Sequence, residues 1–252
     1  MADAHDPDLR RIRAIVLTTQ RSGSTFLVDC LRSHPEIECA GEILNGDPDV
    51  PRPAYRGPFK AFVKAARYAR SGAWLADRWI DAFYRRGGAR VRCFKAMYNQ
   101  LSRPFAMRYF ERNTDVRVIH LRRTNLLKVY VSTLLMSKRR FVQAKTPTEA
   151  VWIRVNPAKA IESMRRAREQ YEWFERAFER HPRLEVQYER LFDGPYLQGD
   201  TAREVCSFLD VASMRMKSML VKLNPELLRD MVTNYDELAN AVSRTEFRGL
   251  LD

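Results

Sequence analysis

Residues 12–34, IRAIVLTTQRSGSTFLVDCLRSH, limit the fold more than any other stretch of the chain. Residues 12–17 are almost continuously apolar, which predicts a strand buried on both faces of a parallel sheet. From Ser24 onward, apolar residues recur at spacings of three and four, which predicts a helix with one apolar face. Gly23 permits a tight turn between the two elements, and we expect Ser24 to cap the helix.

The loop between this strand and this helix has the chemistry of an anion site. The unpaired amides of a first helical turn and the helix dipole both attract negative charge. Arg21 adds a forked, permanently charged donor, and Ser22, Ser24 and Thr25 add hydroxyls. The loop lacks the first glycine and the lysine of a Walker A loop. It predicts phosphate or sulfate binding, and the alternative is a strand–helix turn without a ligand.

Further strands and helices alternate along the chain, and a short apolar segment occupies 37–40. Strands are predicted over 91–98, 116–121 and 184–188. Helices are predicted over 59–86, 102–111, 157–180 and 201–209, and one more begins at Thr124 or Asn125. Alternation of this kind predicts an α/β fold with a central, mainly parallel sheet. The length of 252 residues fits one such domain, with or without a helical insertion.

Polar side chains follow two of the predicted strands. Lys95 and Gln100 lie near the end of one strand, and Arg122 and Arg123 follow the next. Ligands of open α/β sheets bind at the carboxyl ends of the strands. Together with Arg21, a second arginine-bearing strand end could hold a second anionic group of the same ligand. The alternative for Arg122 and Arg123 is a pair of surface charges.

The composition is strongly basic, with a formal net charge of +13. Such a charge attracts nucleic acid, an acidic membrane surface or a multiply charged small anion, and it does not choose among them. The four cysteines form no CxxC pair and no zinc spacing, which indicates reduced thiols and no metal. No secretion signal and no run of ~20 apolar residues is visible. We therefore expect a cytoplasmic protein without an integral membrane segment.

Several segments, taken in order, resemble the PAPS-dependent sulfotransferases, which use 3′-phosphoadenosine 5′-phosphosulfate (PAPS) as sulfuryl donor. TTQRSGSTFL is similar to the 5′-phosphosulfate loop of that family, and residues 123–132 are similar to its 3′-phosphate segment. YERL followed by FLDV looks like the motif after the last core strand. The closing VKLNPELLRDMVTNYDEL is similar to the ends of bacterial carbohydrate sulfotransferases of the nodulation-factor and trehalose types. The resemblance covers 12–250 and is weakest over 45–90 and 138–156.

The resemblance implies a single sulfotransferase domain over 1–252, with a P-loop-like three-layer α/β/α fold. Residues 45–90 and 138–156 would be variable helical or loop insertions near the acceptor. The implied reaction transfers a sulfuryl group from PAPS to a carbohydrate or glycolipid hydroxyl, without metal or nucleic acid, and leaves 3′-phosphoadenosine 5′-phosphate (PAP). Two alternatives are a P-loop phosphotransferase, which the missing Walker lysine disfavours, and a non-catalytic basic protein that binds acidic glycan or nucleic acid.

The resemblance also assigns the residues that would bind the donor. Arg21 and the loop residues 22–25 would hold the phosphosulfate and stabilise charge on the leaving oxygen. Arg123 and Ser132 would hold the 3′-phosphate, and Tyr188 would contact adenine. Arg123 and Ser132 are nine positions apart, one more than in many members, and the trehalose-type branch tolerates this spacing.

The acceptor hydroxyl needs a general base. Glu42 is the candidate, because it looks like the glutamate that carbohydrate sulfotransferases place soon after the phosphosulfate loop. Its alternative role is that of an ion-pair partner for one of the many arginines. His120 is a rival base, although its place inside a predicted strand favours a structural histidine. Lys95 could polarise the leaving group.

Overall fold

The computed structural model describes residues 11–45, 72–102, 104–139, 152–220 and 227–251. A parallel five-stranded sheet has the order β2-β3-β1-β4-β5, in which the strands are β1 (Ile12–Thr18), β2 (Ile37–Ala40), β3 (Val91–Met97), β4 (Arg117–Arg122) and β5 (Arg183–Gln187). The helices are α1 (Ser24–Arg32), α2 (Gly72–Arg85), α3 (Tyr98–Leu101), α4 (Pro104–Arg112), α5 (Leu126–Arg139), α6 (Pro157–Ala177), α7 (Gly199–Phe208) and α8 (Tyr235–Ser243). A small antiparallel hairpin joins β6 (Phe192–Asp193) to β7 (Tyr196–Leu197).

The central strand β1 explains why residues 12–17 are apolar throughout. Ile15 and Leu17 pack into the core that α2, α4, α5 and α6 cover, whereas Ala14 and Val16 pack into the core beneath α1 and α7. Because helices cover both faces of the sheet, side chains on both faces of the strand are buried. The predicted three-layer α/β/α fold with a parallel sheet is therefore confirmed.

The structure differs from the sequence-based elements in three places. The short apolar segment 37–40 is a fifth strand, β2, which pairs with β3 at the edge of the sheet. The helix predicted over 102–111 is α4, which begins at Pro104 and ends at Arg112, and a separate short helix, α3, precedes it over Tyr98–Leu101. Of the helix predicted over 59–86, residues 72–85 are helical and 59–71 lie outside the described residues.

Part of the range predicted as a variable insertion belongs to the main core. Ile80 and Phe83 of α2 are buried in the core that also contains α4. The Tyr84 hydroxyl donates to the carbonyl oxygen of Ala14 on the central strand, at 2.9 Å. The carboxyl-terminal half of α2 therefore supports the sheet. The remainder of that range, 46–71, and most of 138–156 lie outside the described residues.

The strands end together at one edge of the sheet. Thr18, the last residue of β1, is in register with Met97 of β3 and Leu121 of β4, and Arg122 is in register with Gln187 of β5. The residues that follow four strands therefore meet at this edge, where ligands of such sheets bind. Among the described helices, none is both long enough and apolar enough to cross a membrane.

Candidate functional site

The loop after β1 enters α1 through two residues in the left-handed backbone region. Arg21 has a φ of 62° and Gly23 a φ of 80°. Gly23 occupies the N-cap position and its carbonyl oxygen accepts from the amide of Leu27 at 3.1 Å, without a side-chain cap. The prediction that Ser24 caps the helix is wrong, because the chain turns at Gly23 and Ser24 is already the first helical residue. The amides of that first turn have no intrahelical partner.

Gly23 also lies directly against the segment that follows β5. A Cβ atom added to it would lie 2.8 Å from Cδ2 of Tyr188 and 2.9 Å from Cδ1 of Leu191. Real Cβ atoms essentially never approach other carbons so closely, so a larger side chain at this position would force Tyr188 or Leu191 to move. The loop and Tyr188 therefore form one surface, as a narrow ligand cradle requires.

Hydroxyl groups fix the loop to the sheet. The buried Ser22 hydroxyl donates to the carbonyl oxygen of Thr19 at 2.7 Å and also contacts Oγ1 of Thr18. Oγ1 of Thr18 lies 2.9 Å from the carbonyl oxygen of Leu121 on β4. The Ser22 hydroxyl is thus held inside the loop, and sequence reasoning missed Thr18, whose place at the end of an apolar strand gave no signal.

Arg21 and Ser132, predicted to contact different ends of the donor, are in direct contact. Nε of Arg21 donates to Oγ of Ser132 at 2.9 Å, and Nη1 lies 3.6 Å from Sδ of Met136. Ser132 is buried in the second turn of α5. The loop after β1 and the helix after β4 therefore form one continuous site.

Arg123 lies between the loop and Tyr188. Its guanidinium carbon is 4.2 Å from the centre of the Tyr188 ring, and Nη1 donates to the carbonyl oxygen of Arg21 at 3.4 Å. Nε is buried and has no hydrogen-bond partner among the described residues. Burial lowers the pKa of this guanidinium, while Tyr188 and Glu189 offset part of that effect. A half-buried cation with a buried, unpartnered N–H is the expected partner of an anion.

The neighbouring Arg122 has different partners. It forms ion pairs with Glu175 of α6 and Glu185 of β5, and its guanidinium lies 4.9 Å from the Tyr171 ring. Successive strand residues point to opposite faces of the sheet, which explains why the two arginines separate. Arg122 is therefore a structural ion-pair residue beneath α6.

A carboxylate already occupies the amino end of α5. Glu189 accepts from the amides of Thr124 at 3.1 Å and Asn125 at 3.3 Å, and Oδ1 of Asn125 caps the helix by accepting from Lys128 at 2.9 Å. The cap left open between Thr124 and Asn125 is therefore Asn125. At this second strand end the arginine side chain, and not the helix amides, faces the cradle. Glu189 was missed, although the YERL motif contains it.

Glu42, Lys95 and Gln100 form a cluster at the same edge of the sheet. Nζ of Lys95 lies 3.0 Å from Oε1 of Glu42, and Nε2 of Gln100 donates to Oε2 of Glu42 at 2.7 Å. Glu42 follows β2, and the Gly41 carbonyl oxygen accepts from the Lys95 amide at 3.2 Å, which brings the two residues side by side. The predicted ion-pair role of Glu42 is thus present, with a lysine as partner.

His120 lies in the core beneath this edge. Its side chain is 0% exposed, Nε2 contacts the Tyr98 hydroxyl, and Nδ1 has no partner in the described part of the chain. Burial lowers the pKa of His120 to about 3, assisted by the charges of Arg122 and Arg183. A neutral, inaccessible imidazole has the properties of a structural histidine. Within the described ranges, no group of three or more His, Cys, Asp or Glu side chains is arranged to hold a metal.

These features define a three-layer α/β protein whose first strand, loop and helix form a cationic cradle at the ligand edge of the sheet. The model of the sulfotransferase family matches residues 14–214, and the chain belongs to this family. It is also similar to the crystal structure of a sulfotransferase from Alicyclobacillus acidocaldarius, with 17% identity, a TM-score of 0.49 and 96% of each chain covered. A search of curated proteins found no significant match.

Proposed function

We propose that this sulfotransferase takes its sulfuryl group from PAPS and transfers it to a hydroxyl of a carbohydrate or glycolipid, with PAP as the leaving product. The observation that carries the proposal is Arg123, a half-buried guanidinium whose Nη1 contacts the Arg21 carbonyl oxygen and whose buried Nε has no hydrogen-bond partner among the described residues. Burying an N–H donor without a hydrogen-bond partner is costly, and an anion bound there would remove that cost. A donor with two separate anionic groups fits two arginines on adjacent strand ends.

In this proposal Arg21 and the amides of residues 22–25 bind the 5′-phosphosulfate and stabilise charge on the oxygen that leaves sulfur. Arg123 and Ser132 bind the 3′-phosphate. Tyr188 contacts adenine, since its ring already lies beside Gly23 and Arg123. Gly23 is the residue that permits both the left-handed turn of the loop and its close contact with Tyr188 and Leu191.

The same proposal assigns Glu42 as the general base. Its carboxylate accepts the proton of the acceptor hydroxyl while the acceptor oxygen bonds to sulfur and the bond from sulfur to the bridging phosphate oxygen breaks. When Glu42 takes that proton, it no longer neutralises the Lys95 ammonium at 3.0 Å. Lys95 is then available to polarise the leaving group, so proton transfer and leaving-group stabilisation are linked.

The cellular setting is part of the proposal. The thiols of Cys30, Cys39, Cys93 and Cys206 are free and buried. Such thiols persist where glutathione and thioredoxin keep cysteine reduced. We propose a cytoplasmic enzyme that encounters its acceptor as a dissolved molecule or at a membrane surface, within one domain spanning 1–252.

Calorimetric titration with PAP tests the donor site. Arg21→Ala and Arg123→Ala should each weaken binding by well over tenfold, about 1.4 kcal/mol, which is a modest demand on a charge-assisted hydrogen bond. Arg122→Ala is the matched control, because its ion pairs with Glu175 and Glu185 lie outside the cradle, and it should bind PAP like wild type.

Wild type that does not bind PAP would refute the donor assignment. Steeply salt-dependent binding to random DNA, without saturable PAP binding, would instead support a polyanion-binding protein. Once PAP binding is established, radiolabelled PAPS with trehalose and with a chitin oligosaccharide tests the acceptor class. Transfer of label to neither sugar, but to another hydroxyl compound, would reject the carbohydrate part of the proposal alone.

A further inference from the structure

Gln100 is a buried side chain whose amide group is fully engaged at the base of the site. It is 2% exposed, and sequence reasoning placed it at a strand end without giving it a role. Its Nε2 donates to Oε2 of Glu42 at 2.7 Å, and its Oε1 accepts from the amide of Met97 at 3.2 Å. The two ends of one amide thus connect the end of β3 to the carboxylate that follows β2.

The backbone fixes which way this amide points. The amide N–H of Met97 can only donate, so the atom that faces it must be the oxygen of Gln100. The NH₂ group is then directed at Glu42, where it can only donate to a carboxylate oxygen. If the amide were rotated by 180°, neither the hydrogen bond with Met97 nor the one with Glu42 could form, so only one orientation fits.

Lys95 and Gln100 approach Glu42 through different oxygens. Lys95 contacts Oε1 and Gln100 donates to Oε2, and these two contacts restrict rotation of the carboxylate about the Cγ–Cδ bond of Glu42. The Glu42 side chain is 21% exposed and that of Lys95 is 10% exposed, so the carboxylate is accessible in front of more deeply buried partners.

We propose that Gln100 is a positioning residue for the sulfuryl transfer, which acts by orienting the Glu42 carboxylate toward the acceptor hydroxyl. The inference rests on the proposed function, in which Glu42 is the base. Gln100 itself touches no reacting atom. Without its N–H, Glu42 keeps Lys95 as a partner but gains freedom to rotate, and a base that is misaligned by a fraction of an ångström loses rate.

The test is a double-mutant cycle on the full chain, with PAPS and the first trial sugar that wild type sulfates. Gln100→Met removes the amide and keeps the side-chain length, and Glu42→Gln removes the base. Gln100→Met should lower kcat at least tenfold in the wild-type background and less than twofold in the Glu42→Gln background, because its effect passes through Glu42. The acceptor KM and the PAP affinity should change less than twofold.

Two further variants separate positioning from folding. Ser102→Ala removes a hydrogen bond to the Tyr98 carbonyl oxygen at the end of α3, without touching Glu42, and should keep kcat. Gln100→Asn keeps an amide but shortens its reach, so it should also lose kcat while circular dichroism and PAP binding remain those of wild type. It replaces Gln100→Met if that variant does not fold.

The possible results distinguish a failure of the proposed function from a failure of the role proposed for Gln100. Wild type that neither binds PAP nor transfers sulfuryl refutes the proposed function and removes the basis of this inference. An active wild type in which the Gln100 variants keep kcat overturns the role of Gln100 alone. Equal losses of kcat in the wild-type and Glu42→Gln backgrounds also overturn it, because Gln100 would then act independently of Glu42.

Discussion

Replacing Gly23 by alanine tests the geometry of the cradle most directly. The φ of 80° costs a residue with a side chain about 1–2 kcal/mol, because its Cβ crowds the following carbonyl oxygen. The new methyl would also lie 2.8 Å from Tyr188 and 2.9 Å from Leu191, which must move. Overpacking of this kind costs typically about 1–3 kcal/mol. Gly23→Ala should therefore reduce the free energy of unfolding by about 2–5 kcal/mol.

Substitutions of two other glycines separate the energetic cost of the positive φ from the cost of the steric contacts. Gly194 has a φ of 57° but no atom within 4 Å of its added Cβ, so Gly194→Ala should incur only the cost of the positive φ. Gly88 has no such neighbour and no positive φ, so Gly88→Ala should be neutral or slightly stabilising. Urea unfolding, followed by circular dichroism, gives the free energy of unfolding of all three variants.

Binding gives a second measurement on the same variants. Displacing Tyr188 by the Gly23→Ala methyl should also disturb Arg123, which stacks on its ring, so PAP affinity should fall at least tenfold. Gly194→Ala and Gly88→Ala should bind PAP like wild type. The reasoning would be refuted by a Gly23→Ala protein that is no less stable than Gly194→Ala and binds PAP normally.

Substitutions at three positions test other parts of the structure. The pKa of His120 is lowered to about 3 in the folded protein. Between about pH 4 and pH 6, therefore, His120 binds a proton in the unfolded state but not in the folded state, and the free energy of unfolding decreases as the pH falls. His120→Gln should lessen this acid-side slope by up to ~1.4 kcal/mol per pH unit in urea titrations; an unchanged slope would show that His120 is not its source. Arg21→Gly and Arg21→Ala both remove the guanidinium, but the φ of 62° makes the glycine variant more stable by about 1 kcal/mol, and equal thermal stability would argue against backbone strain there. Asn125→Ala should cost about 1 kcal/mol or more, because Asn125 both caps α5 and donates to the Leu250 carbonyl oxygen at 2.9 Å. Asn125→Ser keeps a capping oxygen and should lose less in the same unfolding assay, so a larger loss would contradict the capping role.

Local sequence was sufficient to predict the central strand, the loop and α1. Residues 12–17 are apolar on both faces because the strand they form is central, and that pattern is readable without any knowledge of the partners. The four residues of β2 were read only as an apolar segment, since a stretch so short has no period to detect. Its place at the sheet edge follows from pairing with β3, which is a tertiary property.

The candidate site was predictable in its residue types but not in its contacts. Ser24 was expected to cap α1, because a hydroxyl before a helix normally does so, yet Gly23 occupies the N-cap position and leaves the helix without a side-chain cap. Arg122 and Arg123 are adjacent in sequence, and only the sheet places one beneath α6 and the other beside Tyr188. The contacts of Gln100 join the backbone amide of Met97 to the carboxylate of Glu42, which lies 58 positions from Gln100 in the sequence.

The loop that begins the fold is completed by residues that follow it much later in the chain. β1 pairs with β3 and β4, and the wall against Gly23 is Tyr188 and Leu191. During synthesis, therefore, the loop leaves the ribosome long before Tyr188 and Leu191 have been made, and for most of translation it lacks these packing partners. A nascent or truncated chain that ends before residue 191 should have no affinity for the nucleotide. Under the proposed function, PAP binding would therefore require that at least residues 12–191 have been made and folded.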